Sequence, residues 1–325
     1  MKKTSIAITL SLLSSSAFAI TNGTNVDWKN NFDDMVKNNC TGMVVGGDQV
    51  LTAAHCIDLT GITFTDGTVT TASRRDDHPN YLYSSSGSQY DVSMWTLPHV
   101  AKTQNIHYFA DLNTQNIAVG DSLKAYGFGG RNPLAYAEVV IGKLSSVSDV
   151  AFEGTATLGE IINGDSGGVW MKNEQVIAIT EASSHSRLSR GTDLHQAKDF
   201  ILDRVNGWHY QTVLKGTGTK TVKVQSLHKN SVVDAAYTNG DVTITGGTCK
   251  TKTTINAFDT CTYTLDVKGT GKLHLTSNEV VDINPVAPKP VPPKAAPASS
   301  GGGSMGWISL LALGLLGMRR NKLSQ

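Results

Sequence analysis

Charge is scarce in this chain and favours neither sign. Of its 325 residues, 28 are Lys or Arg and 27 are Asp or Glu, which leaves a formal charge of +1. Such a balance gives no electrostatic footprint for nucleic acid. Charged residues reach only 17%, while Gly, Ser and Thr are abundant. That composition suits a β-rich extracytoplasmic protein better than a helical one. Cysteine is sparse too, at four residues. In an exported chain four cysteines suggest two disulfides, with three pairings possible. Local pairing is favoured: Cys40 with Cys56, and Cys249 with Cys261. Each half of the chain is then stapled separately. Long apolar runs are missing as well, since neither terminal run reaches the roughly 20 residues of a comfortable membrane span.

The two short runs read as processing segments. Lys2 and Lys3, the apolar stretch Ile6 to Leu13 and the small-x-small site Ala17-Phe18-Ala19 make residues 1–19 a signal peptide, to be removed by signal peptidase. At the other end, Val286 to Pro297 is rich in Pro, Ala and Lys and reads as an extended linker. Ser299 to Ser304 is Ser/Gly-rich, Met305 to Met318 is apolar, and Arg319, Arg320 and Lys322 follow. Residues 286–304 are thus a linker and 305–325 a hydrophobic tail with a basic end on the cytoplasmic side. This tail resembles the GlyGly-CTERM sorting signal of Gram-negative secreted proteins. The resemblance implies transient membrane contact, then removal by a rhomboid-type peptidase near Gly303 or Ser304. It also implies passage through the periplasm to the cell surface or the medium. A plain short tail anchor is the alternative.

The chemistry centres on Asn163-Gly164-Asp165-Ser166-Gly167-Gly168. A serine among glycines is a candidate nucleophile, because Gly164 and Gly168 permit a tight turn and close approach of a substrate. The N–H groups of Gly164 and Ser166 can converge on a developing oxyanion. A bare hydroxyl needs a general base and a group that orients the base. Taken alone, the segment is also consistent with a solvated Gly-rich turn. Its partners stand upstream. Leu51-Thr52-Ala53-Ala54-His55-Cys56 follows a strand pattern, and Asp91 opens the apolar run Val92 to Leu97. Asp66, Asp76 and Asp77 compete with Asp91, which is preferred because the mouth of an apolar strand is rigid and partly buried.

Over roughly residues 20 to 210 these motifs resemble the trypsin/chymotrypsin family of serine peptidases. The order His55, Asp91, Ser166 is that family's order. The resemblance implies His55 as base, Asp91 as its orienter, Ser166 as nucleophile, and protein or peptide substrates without a cofactor or metal. It matches the Cys40–Cys56 disulfide to the one that ties the histidine loop to the preceding strand. It also implies that a new amino terminus pairs with the aspartate before the serine. Cleavage after Ala19 would make that pair Ile20 with Asp165, with no separate zymogen stage. The residue six before the serine, Glu160, stands at the floor of the substrate side-chain pocket and implies Arg or Lys before the scissile bond. The family's usual Asp is shorter, and the Cys that braces this pocket is Ile162 here, so a solvated Glu160 on a loop competes. Thr180-Glu181-Ala182 corresponds to the strand that pairs with substrate, with Ala182 at the pocket mouth. His78, His99, His107, His185, His195 and His209 have no comparable context.

The expected fold is all-β: two six-stranded-type barrels over residues 20–210, closed by a C-terminal helix. Met43–Val45 and Gln49–Leu51 read as a hairpin split at Gly46-Gly47-Asp48. Arg74 to Pro79 reads as a charged loop, and Pro98 to Gly120 as the crossover between barrels. Residues 193–208 have helical spacing, with Leu194, Ala197, Phe200, Ile201 and Val205 on one face. Residues 211–285 read as a small immunoglobulin-like sandwich with turns at Asn239-Gly240 and Gly246-Gly247. The function expected is that of an exported serine endopeptidase. A protease-fold surface binding protein or adhesin with a silent site is the alternative from another class. An α/β-hydrolase, which Gly164 to Gly168 also fits as a motif, lacks the alternating strand and helix pattern before Ser166.

Overall fold

Apolar and β-branched runs punctuated by glycine set the first strands. The computed structural model describes residues 20–83, 88–129, 133–144, 150–183 and 187–286. The expected signal peptide, the sorting tail and nearly all of the linker lie outside the described residues. Strand β1 (Thr24–Asn25) is followed by a one-turn helix α1 (Trp28–Asn31), whose Asn30 N–H is capped by Asp27. The first sheet then holds β2 (Met35–Lys37), β3 (Thr41–Val45), β4 (Gln49–Thr52), β5 (Ile62–Thr63), β6 (Val69–Thr70), β7 (Arg74–Asp77) and β8 (Ser93–Thr96). Their order is β6-β5-β2-β3-β4-β8-β7. The β3–β4 hairpin turns at Gly46 and Gly47, where φ is 62° and 88°, as the spacing predicts. Strand β7 corrects the loop expected at Arg74 to Pro79. It is an edge strand, where no apolar face is required. Its charges pair locally, Arg74 with Asp76 at 2.6 Å and Arg75 with Asp77 at 2.7 Å.

The second sheet holds β9 (Ser122–Gly127), β10 (Ala135–Leu144), β11 (Ala151–Leu158), β12 (Val169–Lys172), β13 (Gln175–Ser183) and β14 (Leu188–Asp193). These six close into a ring, because β9 pairs with both β12 and β10, and β1 adds to β10 as a seventh strand. Met43, Leu51 and Trp95 of the first sheet share one buried cluster with Phe128, Val169 and Ile179. Helix α2 (Lys198–Val205) lays Phe200 and Ile201 onto the same cluster. It is shorter than the helical spacing suggests, since residues up to Asp193 are held in β14 against β13 and β11.

The third sheet begins before residue 211. It comprises β15 (Trp208–Tyr210), β16 (Val213–Leu214), β17 (Gly218–Ser226), β18 (Tyr237–Gly246), β19 (Thr260–His274) and β20 (Val280–Ile283). Where an immunoglobulin-like sandwich is expected, these strands are hydrogen-bonded into one connected sheet. The cause is the fifteen-residue β19, whose first half pairs with β17 and whose second half pairs with β20, while β18 runs along its other edge. Asn239-Gly240 lies inside β18 at a bulge and not at a turn. Both disulfides form as the spacing favours, Cys40–Cys56 and Cys249–Cys261. The described residues from 20 to 285 belong to one compact unit. Within that unit the third sheet is seated on the barrel crossover. The buried Gln225 side chain accepts from Phe109 N–H at 2.9 Å and donates to Phe109 O at 2.9 Å. Thr212 N–H donates to Thr103 O at 3.0 Å. Among the described residues no helix is long and apolar enough to cross a membrane.

Candidate active site

His55 leaves the end of β4 at a turn that Cys56 N–H closes on Ala53 O at 3.1 Å. The disulfide to Cys40 fixes the next residue of that turn. Asp91 is fully buried and stands between Tyr90, whose φ is 50°, and strand β8. Tyr90 is held in that left-handed conformation by stacking on His78, ring centroids 4.3 Å apart. The Asp91 carboxylate grips His55 twice. Oδ2 lies 2.6 Å from Nδ1, and Oδ1 accepts from the His55 main-chain N–H at 2.9 Å. The rival aspartates are committed elsewhere: Asp76 and Asp77 to arginines, Asp66 to the Thr68 N–H at 2.8 Å. Burial pushes the imidazolium of His55 down. The hydrogen bond and charge of Asp91, with Glu181 behind them, more than offset it, so the group ends above the ordinary histidine value.

Ser166 is half-buried on the turn before β12. A first-sheet residue, Thr41, pins this turn. Its N–H donates to Ser166 O at 2.9 Å and its hydroxyl donates to Gly164 O at 2.9 Å. The same hydroxyl accepts from Phe128 N–H at 3.1 Å. Gly167 N–H donates to Thr180 O and Thr180 N–H donates to Gly168 O, both at 2.8 Å, which seats the turn against β13. Gly164 has φ 98° and Gly167 φ 78°, values open to glycine and strained for other residues. Among the described residues the N–H groups of Gly164 and Ser166 have no acceptor, and the Ser166 hydroxyl forms no hydrogen bond. Nucleophile-to-base contacts are often loose without substrate and tighten in the complex.

Asp165 is fully buried, with its carboxyl accepting from Gly129 N–H at 2.6 Å and Ile162 N–H at 2.8 Å. Desolvation pushes its pKa up to about 7 against those two hydrogen bonds. Ile20 is also fully buried, in a cluster with Ile161 of the segment leading to Asp165. No Ile20–Asp165 ion pair is formed among the described residues, because the Ile20 nitrogen is still joined to Ala19 in a peptide bond. Glu160 is half-buried and its main chain bridges Thr21. The Thr180 hydroxyl accepts from Trp170 Nε1 at 2.8 Å. Ala182 is exposed, past a bulge in β13, and pairs with Arg190 of β14.

That bulge holds a residue that the sequence places only within the substrate-pairing strand. Glu181 is only 4% exposed. Its Oε1 accepts from Ser88 N–H at 2.7 Å and lies 3.7 Å from Arg190 Nη1. Burial raises its pKa, with Arg190 and the Ser88 N–H opposing and Asp91 reinforcing. The motif around Thr180 marks the strand, but nothing in local spacing shows that Arg190 sits opposite. Cys40, His55 and Cys56 bring ligand-type atoms together, yet the two sulfurs are bonded to each other and leave no metal-ligand set.

Comparison with known proteins accords with this architecture. An uncharacterised peptidase of Corynebacterium glutamicum is 26% identical over 212 residues, which is 60% of this chain and 70% of that protein. The structure of the Vibrio cholerae VesB protease covers 78% of this chain and 94% of its own at 18% identity, with a TM-score of 0.47. Human heparin binding protein, at 15% identity, covers 58% of this chain and 97% of its own with a TM-score of 0.50, a likeness of fold. The sequence profile of the trypsin family matches residues 21–201, more than half of the chain, and the chain belongs to that family.

Proposed function

We propose that this protein is an exported serine endopeptidase that works through an acyl-enzyme. The observation that carries the reading is the double hold of Asp91 on His55, with side-chain and main-chain contacts at 2.6 and 2.9 Å. A buried carboxylate on Nδ1 fixes the tautomer that leaves Nε2 free to accept a proton, and it stabilises the imidazolium that follows. Ser166 attacks the peptide carbonyl, and its proton passes to His55 Nε2. The free N–H groups of Gly164 and Ser166 receive the oxyanion. His55 then protonates the leaving amine, and water repeats the sequence in reverse to release the acid. The pairing of β13 with β12 ends at Ile179, and its hydrogen bonds to the nucleophile turn end at Thr180. Past that point Glu181–Ser183 pairs only with β14 among the described residues, which supports an extended peptide adding there as a strand.

The finer parts of the reading follow from the sequence. Signal peptidase releases Ile20, whose ammonium pairs with Asp165 and holds Gly164 N–H in place. A rhomboid-type peptidase removes the tail after transit of the periplasm, and the product stays on the cell surface or is released. A preference for Arg or Lys before the scissile bond rests on Glu160 alone. The test is hydrolysis of peptides that vary at that residue, with Ser166→Ala as control. Cleavage that vanishes in the control establishes the nucleophile; cleavage that survives in it removes Ser166 from the mechanism.

A further inference from the structure

Two adjacent residues of β13 hold the two halves of the candidate site. Thr180 seats the nucleophile turn through its main chain: its carbonyl accepts from Gly167 N–H and its N–H donates to Gly168 O, both at 2.8 Å. Glu181 reaches the other way. Its Oε1 accepts from Ser88 N–H at 2.7 Å, three residues before Asp91. Ser88 is buried, and the two residues that follow it are held as well. Gln89 exchanges main-chain hydrogen bonds with Leu82 at 2.9 and 3.1 Å, and Tyr90 stacks on His78. The segment that carries the acid is thus fastened, through one carboxylate, to the strand that fixes the serine.

A clamp of this kind needs only a neutral acceptor, and a buried carboxylate is a costly way to supply one. Glu181 is 4% exposed, and its Oε2 has no hydrogen-bond partner among the described residues. Burial pushes its pKa up; Arg190 and the Ser88 N–H oppose that, Asp91 reinforces it, and His55 opposes it again. Charge on Glu181 therefore interacts with both members of the His55–Asp91 pair. At His55, burial disfavours the imidazolium, while the hydrogen bond and charge of Asp91, and then the charge of Glu181, favour it. The other ionisable groups of this corner are committed or neutral. Arg75 pairs with Asp77 at 2.7 Å and donates to Ala54 O. Tyr81 is a phenol pushed up by burial and by Asp91, so it keeps its proton.

We propose that Glu181 is a positioning residue of the peptidase reaction, clamping the Asp91 segment to the strand of the nucleophile and bringing a second carboxylate charge to bear on the His55–Asp91 pair. This deepens the proposed peptidase reading and rests on it. An imidazolium forms each time His55 takes a proton, in acylation and again in deacylation. Glu181 stabilises it at both steps, acting through His55 and Asp91.

The test uses the full chain after its own export and processing. A fluorophosphonate probe of Ser166 counts active sites, so rates do not depend on how much of a variant folds. Peptide hydrolysis is then followed from about pH 4 to 9, where the acid limb of kcat/KM reports the base of the free enzyme. Glu181→Gln keeps an acceptor for Ser88 N–H and removes the charge. Its acid limb is expected to move to lower pH by about half a unit or more, because the imidazolium loses a stabilising charge. Glu181→Asp keeps the charge but draws it back by one methylene. Its limb is expected to move the same way by less, and its kcat to fall about tenfold as the Asp91 segment loses its tether. A purely structural role would lower the plateaus and leave both limbs in place. If Glu181→Gln yields no labelled protein, the limb of Glu181→Asp decides. A limb that stays at the wild-type position in the deciding variant, or a kcat in Glu181→Asp equal to wild type, overturns the proposal. Wild type that neither labels nor cleaves overturns the peptidase reading beneath it.

Discussion

Asp165 is the residue whose titration separates two states of the chain. With the Ile20 nitrogen in a peptide bond, the folded carboxyl is pushed up to about 7. The unfolded value is about 3.9. The folded state therefore keeps a proton that the unfolded state releases. Stability from this group is whole below pH about 4 and is lost as pH rises toward 7. A free Ile20 ammonium beside the carboxylate lowers its pKa and removes that slope. Chemical denaturation from pH 4 to 8 compares the processed chain with one carrying an extra Ala before Ile20. The extended chain should lose stability with rising pH relative to the processed one. It should also hydrolyse peptides about a hundredfold more slowly, the worth of one oxyanion donor. Equal slopes and equal rates would remove Ile20 from activation. The His55–Asp91 contact was legible at this scale because the sequence neighbours of both residues are distinctive. Glu181 and Arg190 were not, because the contact depends on a bulge and a strand register that no local pattern encodes.

Among the elements, the nucleophile turn is the most constrained. A Cβ at Gly167 would collide with Thr52 Oγ1, Thr41 O and Ala53 N, and φ is 78° there. Gly167→Ala should lower stability by about 2–4 kcal/mol, combining left-handed strain with overpacking. Denaturant unfolding reads the loss; a change below about 0.5 kcal/mol, the size of an ordinary surface substitution, would mean that the turn relaxes freely. Element type followed from sequence where apolar periodicity was strong. The β3–β4 hairpin and the strand opening at Asp91 are such cases. It failed at Arg74–Asp77, since an edge strand paired by its own charges shows no apolar alternation. Helix α2 was overextended because Leu194 and Ala197 are buried in the shared core without being helical.

For the whole molecule, the third sheet and the barrels are expected to unfold together. Gln225 alone satisfies the buried N–H and C=O of Phe109 and also donates to Phe258 O at 3.0 Å. Gln225→Leu strands these groups and should cost about 2–4 kcal/mol. Thermal unfolding followed by near-ultraviolet dichroism should show one transition in wild type, at a lower temperature in the variant. An unchanged midpoint would mean that the sheet is merely tethered. The separate module read from the sequence was right about β character. It missed the union with the crossover, since a glutamine in a strand gives no sign of which loop it will serve.

The grip of Thr41 has a mechanical consequence. One side chain and its amide tie the first sheet to both flanks of the nucleophile and to Phe128 of the second barrel. The two halves cannot gape like a jaw without dragging the Ser166 carbonyl out of register. In the proposed peptidase, any wedge that prises the halves apart would therefore displace Ser166 without touching it.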